Sequence, residues 1–194
     1  MEKKPIFIAE IKTKSMYGFE SKYHRNTLID TALHYGDWIS CHTDPRFGGS
    51  FDDIYMLRKE TDKPILAKGF HCHDDDIKKA FDLGADYVLV VQRLPNLMKF
   101  NNKKLLLELG DIIYERFDLM DVLRFVYNGR DLKTGLAKNI GDYHNFRKQC
   151  KWLCGASFIK EPRDVNIFYP NCDAFIVGQN LVEFCELLKE GKKY

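Results

Sequence analysis

Eight short, mainly apolar runs constrain this sequence most, because the chain between them shows apolar residues at helical spacing. The run Tyr87–Val91 is apolar on both faces, as buried parallel strands are. Strands that alternate with helices predict a parallel sheet with right-handed crossovers, and eight such units favour a closed (β/α)8 TIM barrel over an open doubly wound sheet. The predicted strands are Ile6–Ala9, Trp38–Cys41, Pro64–Ala67, Tyr87–Val91, Leu105–Leu107, Leu123–Tyr127, Lys151–Cys154 and Ala174–Val177.

The connection between the fourth and fifth runs is short. It consists of Gln92–Lys104, which include Pro95 and the adjacent Asn101 and Asn102. Because proline interrupts helices, we expect the fourth helix to be reduced to a turn or lost. The chain has 194 residues, whereas barrels of this type typically have about 250. There is no Gly-Ser linker or low-complexity tract, so residues 1–194 are expected to form a single barrel domain.

Composition argues against several classes of partner. The net charge is +2 with both signs mixed along the chain, which does not favour a nucleic-acid surface. No run approaches the roughly 18 apolar residues of a membrane span, and the apolar stretch before Lys12 is too short for a signal peptide. The six cysteines include no CxxC pair. We therefore expect reduced thiols in a cytoplasmic protein without structural zinc.

The segment His71-Cys72-His73, followed by Asp74-Asp75-Asp76, permits two interpretations. Histidine, cysteine and aspartate are metal ligands, but no distant ligands accompany them. A loop that enters a helix also favours aspartates, because the helix dipole attracts acidic side chains to the first turn. The second interpretation is favoured, and no metal site is predicted.

Polar residues directly follow four of the predicted strands. In a parallel barrel, the loops after the strands open on one face, where functional residues gather. Two carboxylates, two lysines, an arginine and an amide would then share one pocket, a combination that suits acid–base chemistry on an anionic substrate. These residues are Glu10, Lys12, Lys68, Glu108, Asn128 and Arg130.

Small residues follow the last two predicted strands instead. Gly155 and Ser157 come after the seventh, and Gly178 and Gln179 come after the eighth, where a helix begins. Glycine lets the backbone approach a ligand, and the N–H groups at a helix N-terminus suit a phosphate. These four residues are therefore the predicted phosphate site, at the usual place in a barrel.

Six segments, in order along nearly the whole chain, match one family. They are Ile8–Ser15, Thr43–Ser50, Pro64–Phe70, Leu83–Asp86, Asn128–Thr134 and Asp173–Gly178. Together they resemble the indole-3-glycerol phosphate synthases. The first-, third- and sixth-strand motifs are specific in combination, although none would be so alone.

This resemblance implies an enzyme of tryptophan biosynthesis that needs no metal or organic cofactor. It converts 1-(2-carboxyphenylamino)-1-deoxyribulose 5-phosphate to indole-3-glycerol phosphate with loss of CO2 and water. By resemblance, Lys68 is the general acid, Glu108 is the base, and Glu10 assists proton transfer during dehydration. Lys12 holds the anionic substrate or acts as a further acid. A dry, charge-paired pocket is expected to shift the pKa values of the lysines toward neutrality.

The resemblance also assigns substrate contacts. Asn128 and Arg130 are expected to orient the carboxylate or hydroxyls of the substrate, and Ser15 and Phe70 are expected to contact it. The only implied partner is therefore a small anionic sugar phosphate, bound by a protein expected to be a monomer.

Several features depart from the family pattern. Strand one begins almost at once, without the usual N-terminal helical extension. Gly69 replaces the aspartate of the usual Lys-Asp-Phe motif. The usual Glu-Ser-Gly after strand seven is replaced by Leu153-Cys154-Gly155, so the serine that contacts phosphate is lost or displaced to Ser157. Gln179 stands where a small or acidic residue is common.

Two alternative functions stay open at this point. The first alternative is another phosphate-binding barrel enzyme, such as phosphoribosyl anthranilate isomerase or the tryptophan synthase α subunit. The isomerase would need a Cys/Asp pair on opposite strands, whereas Glu10 and Lys12 occupy strand one. The second alternative is a non-catalytic or degenerate sugar-phosphate binder. The short chain and the altered strand-seven loop favour it.

Overall fold

The computed structural model describes residues 4–108, 123–168 and 171–194. In it, eight parallel strands are hydrogen-bonded in sequence order, and the last pairs with the first to close a barrel. The predicted fold class, a (β/α)8 barrel, is confirmed. The strands are β1 (Ile6–Ile11), β2 (Trp38–His42), β3 (Ile65–Lys68), β4 (Tyr87–Val91), β5 (Leu105–Glu108), β6 (Arg124–Asn128), β7 (Leu153–Ala156) and β8 (Ala174–Val177).

Helices of unequal length cover the strands. The β4–β5 connection contains the 3-10 turn Asn102–Lys104 and no α-helix, as the sequence predicts. The β7–β8 connection contains the 3-10 segment Pro162–Ile167, a shortening that the sequence analysis did not predict. The α-helices in the described ranges are α1 (Arg25–Tyr35), α2 (Asp52–Glu60), α3 (Asp74–Asp82), α4 (Ile140–Arg147) and α5 (Leu181–Lys189).

Side chains alternate between the inside of the barrel and the helical layer. On β1, Phe7 and Ala9 pack in the outer core cluster, while Ile8 packs in the inner one. Since successive residues of a strand point to opposite faces, this alternation also fixes which residues reach the mouth. Glu10 and Lys12 share the inward direction of Ile8.

Aromatic rings and one cation close the end of the barrel where the strands begin. The ring of Trp38 stacks on Tyr87 at 4.1 Å and lies 6.2 Å from Trp152. The guanidinium of Arg124 lies 5.0 Å from the Tyr87 ring, 5.1 Å from Trp152 and 5.8 Å from Trp38. These four residues, which we call the barrel floor, place a cation against three ring faces.

We expect Arg124→Met to lower the free energy of unfolding by about 2 kcal/mol, because it removes several cation–π contacts at once. Urea unfolding at neutral pH measures the change. Arg163→Met is the matched control, since the Arg163 side chain is 80% exposed and exposed ion pairs contribute little. A loss for Arg124→Met no larger than that of the control would contradict this role for the floor.

Candidate functional site

A cavity of about 330 Å³ opens at the carboxyl ends of the strands, opposite the floor. Its lining comes from β1 to β6, β8 and the loops after the strands, as the barrel rule predicts. The structure therefore brings most of the predicted site residues into one space. Those that line it are Glu10, Lys12, Lys68, Phe70, Glu108, Asn128, Arg130, Ser157, Gly178 and Gln179.

Glu10 is the most strongly contacted carboxylate of this cavity. Lys68 Nζ donates to its Oε1 at 2.7 Å, and His42 Nε2 lies 2.6 Å from the same oxygen. Burial alone would raise the pKa of Glu10, but the Lys68 and Lys12 cations and the His42 hydrogen bond hold it well below its ordinary value. Glu10 is therefore ionised at neutral pH.

Glu108 lies in a different environment, although it is equally enclosed. Its Oε1 accepts a hydrogen bond of 2.9 Å from Asn128 Nδ2. The Asn128 Oδ1 in turn accepts from Ser157 Oγ at 2.6 Å and from the Arg130 N–H at 3.0 Å. Burial raises the pKa of Glu108 despite the opposing effects of Lys68 and Asn128. Two carboxylates whose pKa values are driven apart are a common basis for separate proton-transfer roles.

The two lysines differ from each other in the same way. Burial lowers the pKa of Lys12, more than the attraction of Glu10 raises it. For Lys68, burial also acts to lower the pKa, but the carboxylates, above all Glu10, raise it overall. The expected shift toward neutrality therefore holds for Lys12 and is wrong for Lys68, because Lys68 is directly paired with Glu10.

Arg130 lies across the mouth between two aromatic rings. Its guanidinium is 5.3 Å from the Tyr17 ring and 4.6 Å from the Phe158 ring. The Tyr17 hydroxyl donates to the carbonyl of Leu132 at 2.8 Å, which joins the loop after β1 to the loop after β6. Tyr17 and Phe158 line the cavity, and the sequence analysis did not identify either. We call Tyr17, Arg130 and Phe158 the mouth bridge.

The loops after β7 and β8 approach the cavity closely. Ser157 and Phe158 both adopt left-handed backbone conformations, with φ of 73° and 59°, which are strained for non-glycine residues. A Cβ at Gly178 would overlap Oε2 of Glu10, so a larger residue there would displace the Glu10 carboxylate. Gln179 lines the cavity next to it, just before α5 begins at Leu181.

Comparison with known proteins assigns the chain to a family. A model of the indole-3-glycerol phosphate synthase family matches residues 1–192. The chain belongs to the indole-3-glycerol phosphate synthase family. Three relatives that carry this name are 29%, 29% and 30% identical to it, from Sulfurisphaera tokodaii, Lachnospira eligens and Thermoplasma acidophilum. The alignments cover 96%, 81% and 70% of this chain, and 82%, 67% and 63% of the respective relatives.

Two of the predicted site residues, Ser15 and Gly155, are absent from the cavity lining. The Ser15 hydroxyl accepts hydrogen bonds from the Tyr17 and Phe19 N–H groups at 3.2 and 3.3 Å, so it shapes the β1 loop. Gly155 points outward, where a Cβ would lie 2.5 Å from the Phe168 ring. Gly155 therefore packs against the outer layer and does not line the cavity, whereas Ser157 does.

The departure at Gly69 from the usual aspartate of this synthase family has a structural reason. A Cβ at Gly69 would overlap the Thr43 hydroxyl. That hydroxyl lies 3.1 Å from Nε2 of the buried His71, whose Nδ1 is hydrogen-bonded to the carbonyl of Leu89. The space that a carboxylate would occupy is thus filled by a threonine–histidine pair.

The His71-Cys72-His73 segment leads into a helix. Helix α3 begins at Asp74, and the Asp76 carboxylate accepts a hydrogen bond from the His73 N–H at 3.0 Å. Cys72 is exposed, while His71 turns inward. Over residues 4–108, 123–168 and 171–194, no three histidine, cysteine or acidic side chains are grouped to hold a metal ion. No helix in those ranges is long and apolar enough to cross a bilayer.

Proposed function

We propose that this chain is an active indole-3-glycerol phosphate synthase, a carboxy-lyase of tryptophan biosynthesis. The observation that carries the proposal is the convergence of Glu10, Lys68 and Glu108 on one cavity, with one carboxylate ionised and the other held at a raised pKa. The substrate is the anilino-ribulose phosphate named above, which carries a carboxylate, a ketone and a phosphate.

Ring closure needs an acid, because the attacking atom is an aromatic carbon and a poor nucleophile. Lys68 is placed to supply that acid: its ammonium is buried and donates to Glu10 at 2.7 Å, and this pairing keeps the proton on Lys68 in the free protein, although the raised pKa weakens it as a donor. It donates a proton to the ketone oxygen as the new C–C bond forms. The substrate carboxylate leaves as CO2, and its bonding electrons restore the aromatic ring.

Dehydration then completes the indole. The new hydroxyl departs as water with a proton from an acid, and a proton on the carbon beside the nitrogen must be removed. Glu108 suits the base, because its raised pKa increases its affinity for a proton. Lys68, which gave its first proton to the ketone and is reprotonated from solvent, donates this second proton to the departing hydroxyl, and Glu10, to which it is hydrogen-bonded, assists the transfer.

Cationic and small residues hold the two anionic ends of the substrate. Lys12 and Arg130 lie at the mouth and bind the carboxylate, with Asn128 fixed between Glu108 and Ser157. Ser157, Gly178 and Gln179 receive the phosphate, where strand ends and the start of α5 offer N–H groups. Phe70 contributes an apolar wall for the aniline ring.

Steady-state turnover by the purified chain tests this proposal. Indole fluorescence reports product formation, and CO2 release should match it mole for mole. Lys68→Met serves as the inactive control. A chain that binds the substrate tightly but releases neither product would instead be a sugar-phosphate binder, the second candidate.

A further inference from the structure

His42 is a buried titratable group of the cavity that neither the motifs nor the steps above use. It is the last residue of β2, and it is 4% exposed. Its Nε2 lies 2.6 Å from Oε1 of Glu10, the oxygen that also accepts from Lys68. The other ring nitrogen, Nδ1, is buried without a hydrogen-bond partner.

The contact fixes the tautomer of the ring. An ionised carboxylate can only accept hydrogen bonds, so Nε2 carries the proton and donates it to Glu10. Phe47 stacks against the imidazole at 4.5 Å with an interplanar angle of 14°. His42 is also the register partner of Lys68 across β2 and β3. The backbone and the stacked ring therefore hold the donor in place before any substrate arrives.

Oε1 of Glu10 therefore accepts two hydrogen bonds, from Lys68 and from His42, and neither donor contacts Oε2. Oε2 lies against Gly178, so close that a Cβ at that position would overlap it. A carboxylate with one hydrogen bond to Oε1 could rotate and exchange its oxygens, whereas two donors from β2 and β3 restrict that rotation.

We propose that His42 is a positioning residue of the reaction, which donates to Oε1 of Glu10 and presents Oε2 as the oxygen that exchanges protons during dehydration. This inference rests on the proposed function and deepens it. His42 acts through Glu10 and does not touch the reacting atoms.

The charges around this pair set the expected pH behaviour. Glu10 is faced by Lys68 on β3, Lys12 directly after β1 and Glu108 on β5, and His42 is also near Asp44 after β2. Burial lowers the pKa of His42 more than Glu10 raises it, so the ring is neutral at neutral pH. The His42 hydrogen bond lowers the pKa of Glu10, and removing it must shift that pKa upward.

Two substitutions separate positioning from structure. His42→Leu removes the donor, while His42→Gln places an amide N–H where Nε2 stood. We expect His42→Leu to lower kcat about tenfold, as loss of a hydrogen bond to a charged group would, with KM changed by less than about threefold. The acid limb of the kcat profile should move to higher pH, and His42→Gln should restore both values. His34→Leu, on the exposed face of α1, is the control.

A titration of the free protein provides a readout without turnover. With 13C-labelled glutamate carboxyls, the Glu10 resonance (assigned with Glu10→Gln) should titrate at higher pH in His42→Leu than in the wild type or His42→Gln.

If the wild type turns over but His42→Leu matches it in kcat and titration, the His42 inference is overturned and the proposed function stands. If the wild type shows no turnover, the proposed function fails, and an unshifted titration independently overturns the His42–Glu10 role. A His42→Gln variant that behaves like His42→Leu also overturns it.

Discussion

Lys68→Met should reduce kcat about 10³-fold, because it removes the proton donor that makes the ketone electrophilic. Methionine keeps much of the apolar stem of lysine, so the cavity wall stays filled. KM should change by less than about fivefold, since Lys12 and Arg130, the proposed binding residues for the substrate carboxylate, remain in the cavity. Steady-state indole fluorescence measures both constants.

A surface lysine provides the control for that experiment. Lys78 pairs with Asp82 on the exposed side of α3, and its side chain is 67% exposed. Lys78→Met should leave kcat and KM unchanged. Retention of more than about a tenth of wild-type kcat by Lys68→Met would mean that another group supplies the proton.

Glu108→Gln should reduce kcat by about 10³-fold and also stabilise the fold by about 1 kcal/mol at neutral pH. Activity falls because an amide cannot accept the proton. Stability rises because the folded pKa of Glu108 lies above its ordinary value of 4.5. A carboxyl with a raised folded-state pKa does not destabilise the fold below its unfolded-state pKa, where it is protonated in both states. As the pH rises from the unfolded-state pKa through the folded-state pKa, the cost of ionising it in the folded protein develops.

Urea unfolding of Glu108→Gln and the wild type, from pH 4 to pH 8, checks the sign. The stability difference should be smallest at the acid end and open as the pH rises. The amide oxygen can still accept from Asn128, which keeps that contact comparable. Glu186→Gln, on the exposed side of α5, should change neither activity nor stability. A Glu108→Gln protein less stable than wild type at pH 8 would contradict this account of burial.

Much of the site could be predicted from the sequence, because a polar residue directly after an apolar run marks the mouth of a parallel barrel. Glu10, Lys68 and Glu108 follow this rule, and they line the same cavity. What the rule does not provide is the pairing across strands, which depends on their stagger. Lys68 is hydrogen-bonded to Glu10 of β1, whereas Glu108 accepts from Asn128 of β6.

His42 and Gly155 show two limits of pattern reading. The apolar run of the second strand ends at Cys41, but β2 continues to His42, so this inward residue lies outside the predicted strand. Gly155 was assigned to a phosphate because glycines often contact one. Alternation along β7 offered a better criterion, since Cys154 faces inward and Gly155 must then face out.

The barrel floor restricts the route by which substrate and product can reach and leave the cavity. Because Arg124 and three rings fill the end where the strands begin, the cavity that the described residues form opens at the carboxyl ends of the strands. In the proposed reaction, substrate and phosphorylated product would both pass that mouth, across which Arg130 lies between Tyr17 and Phe158. Product would then have to leave by the route that the next substrate uses, which makes its release a step of every turnover.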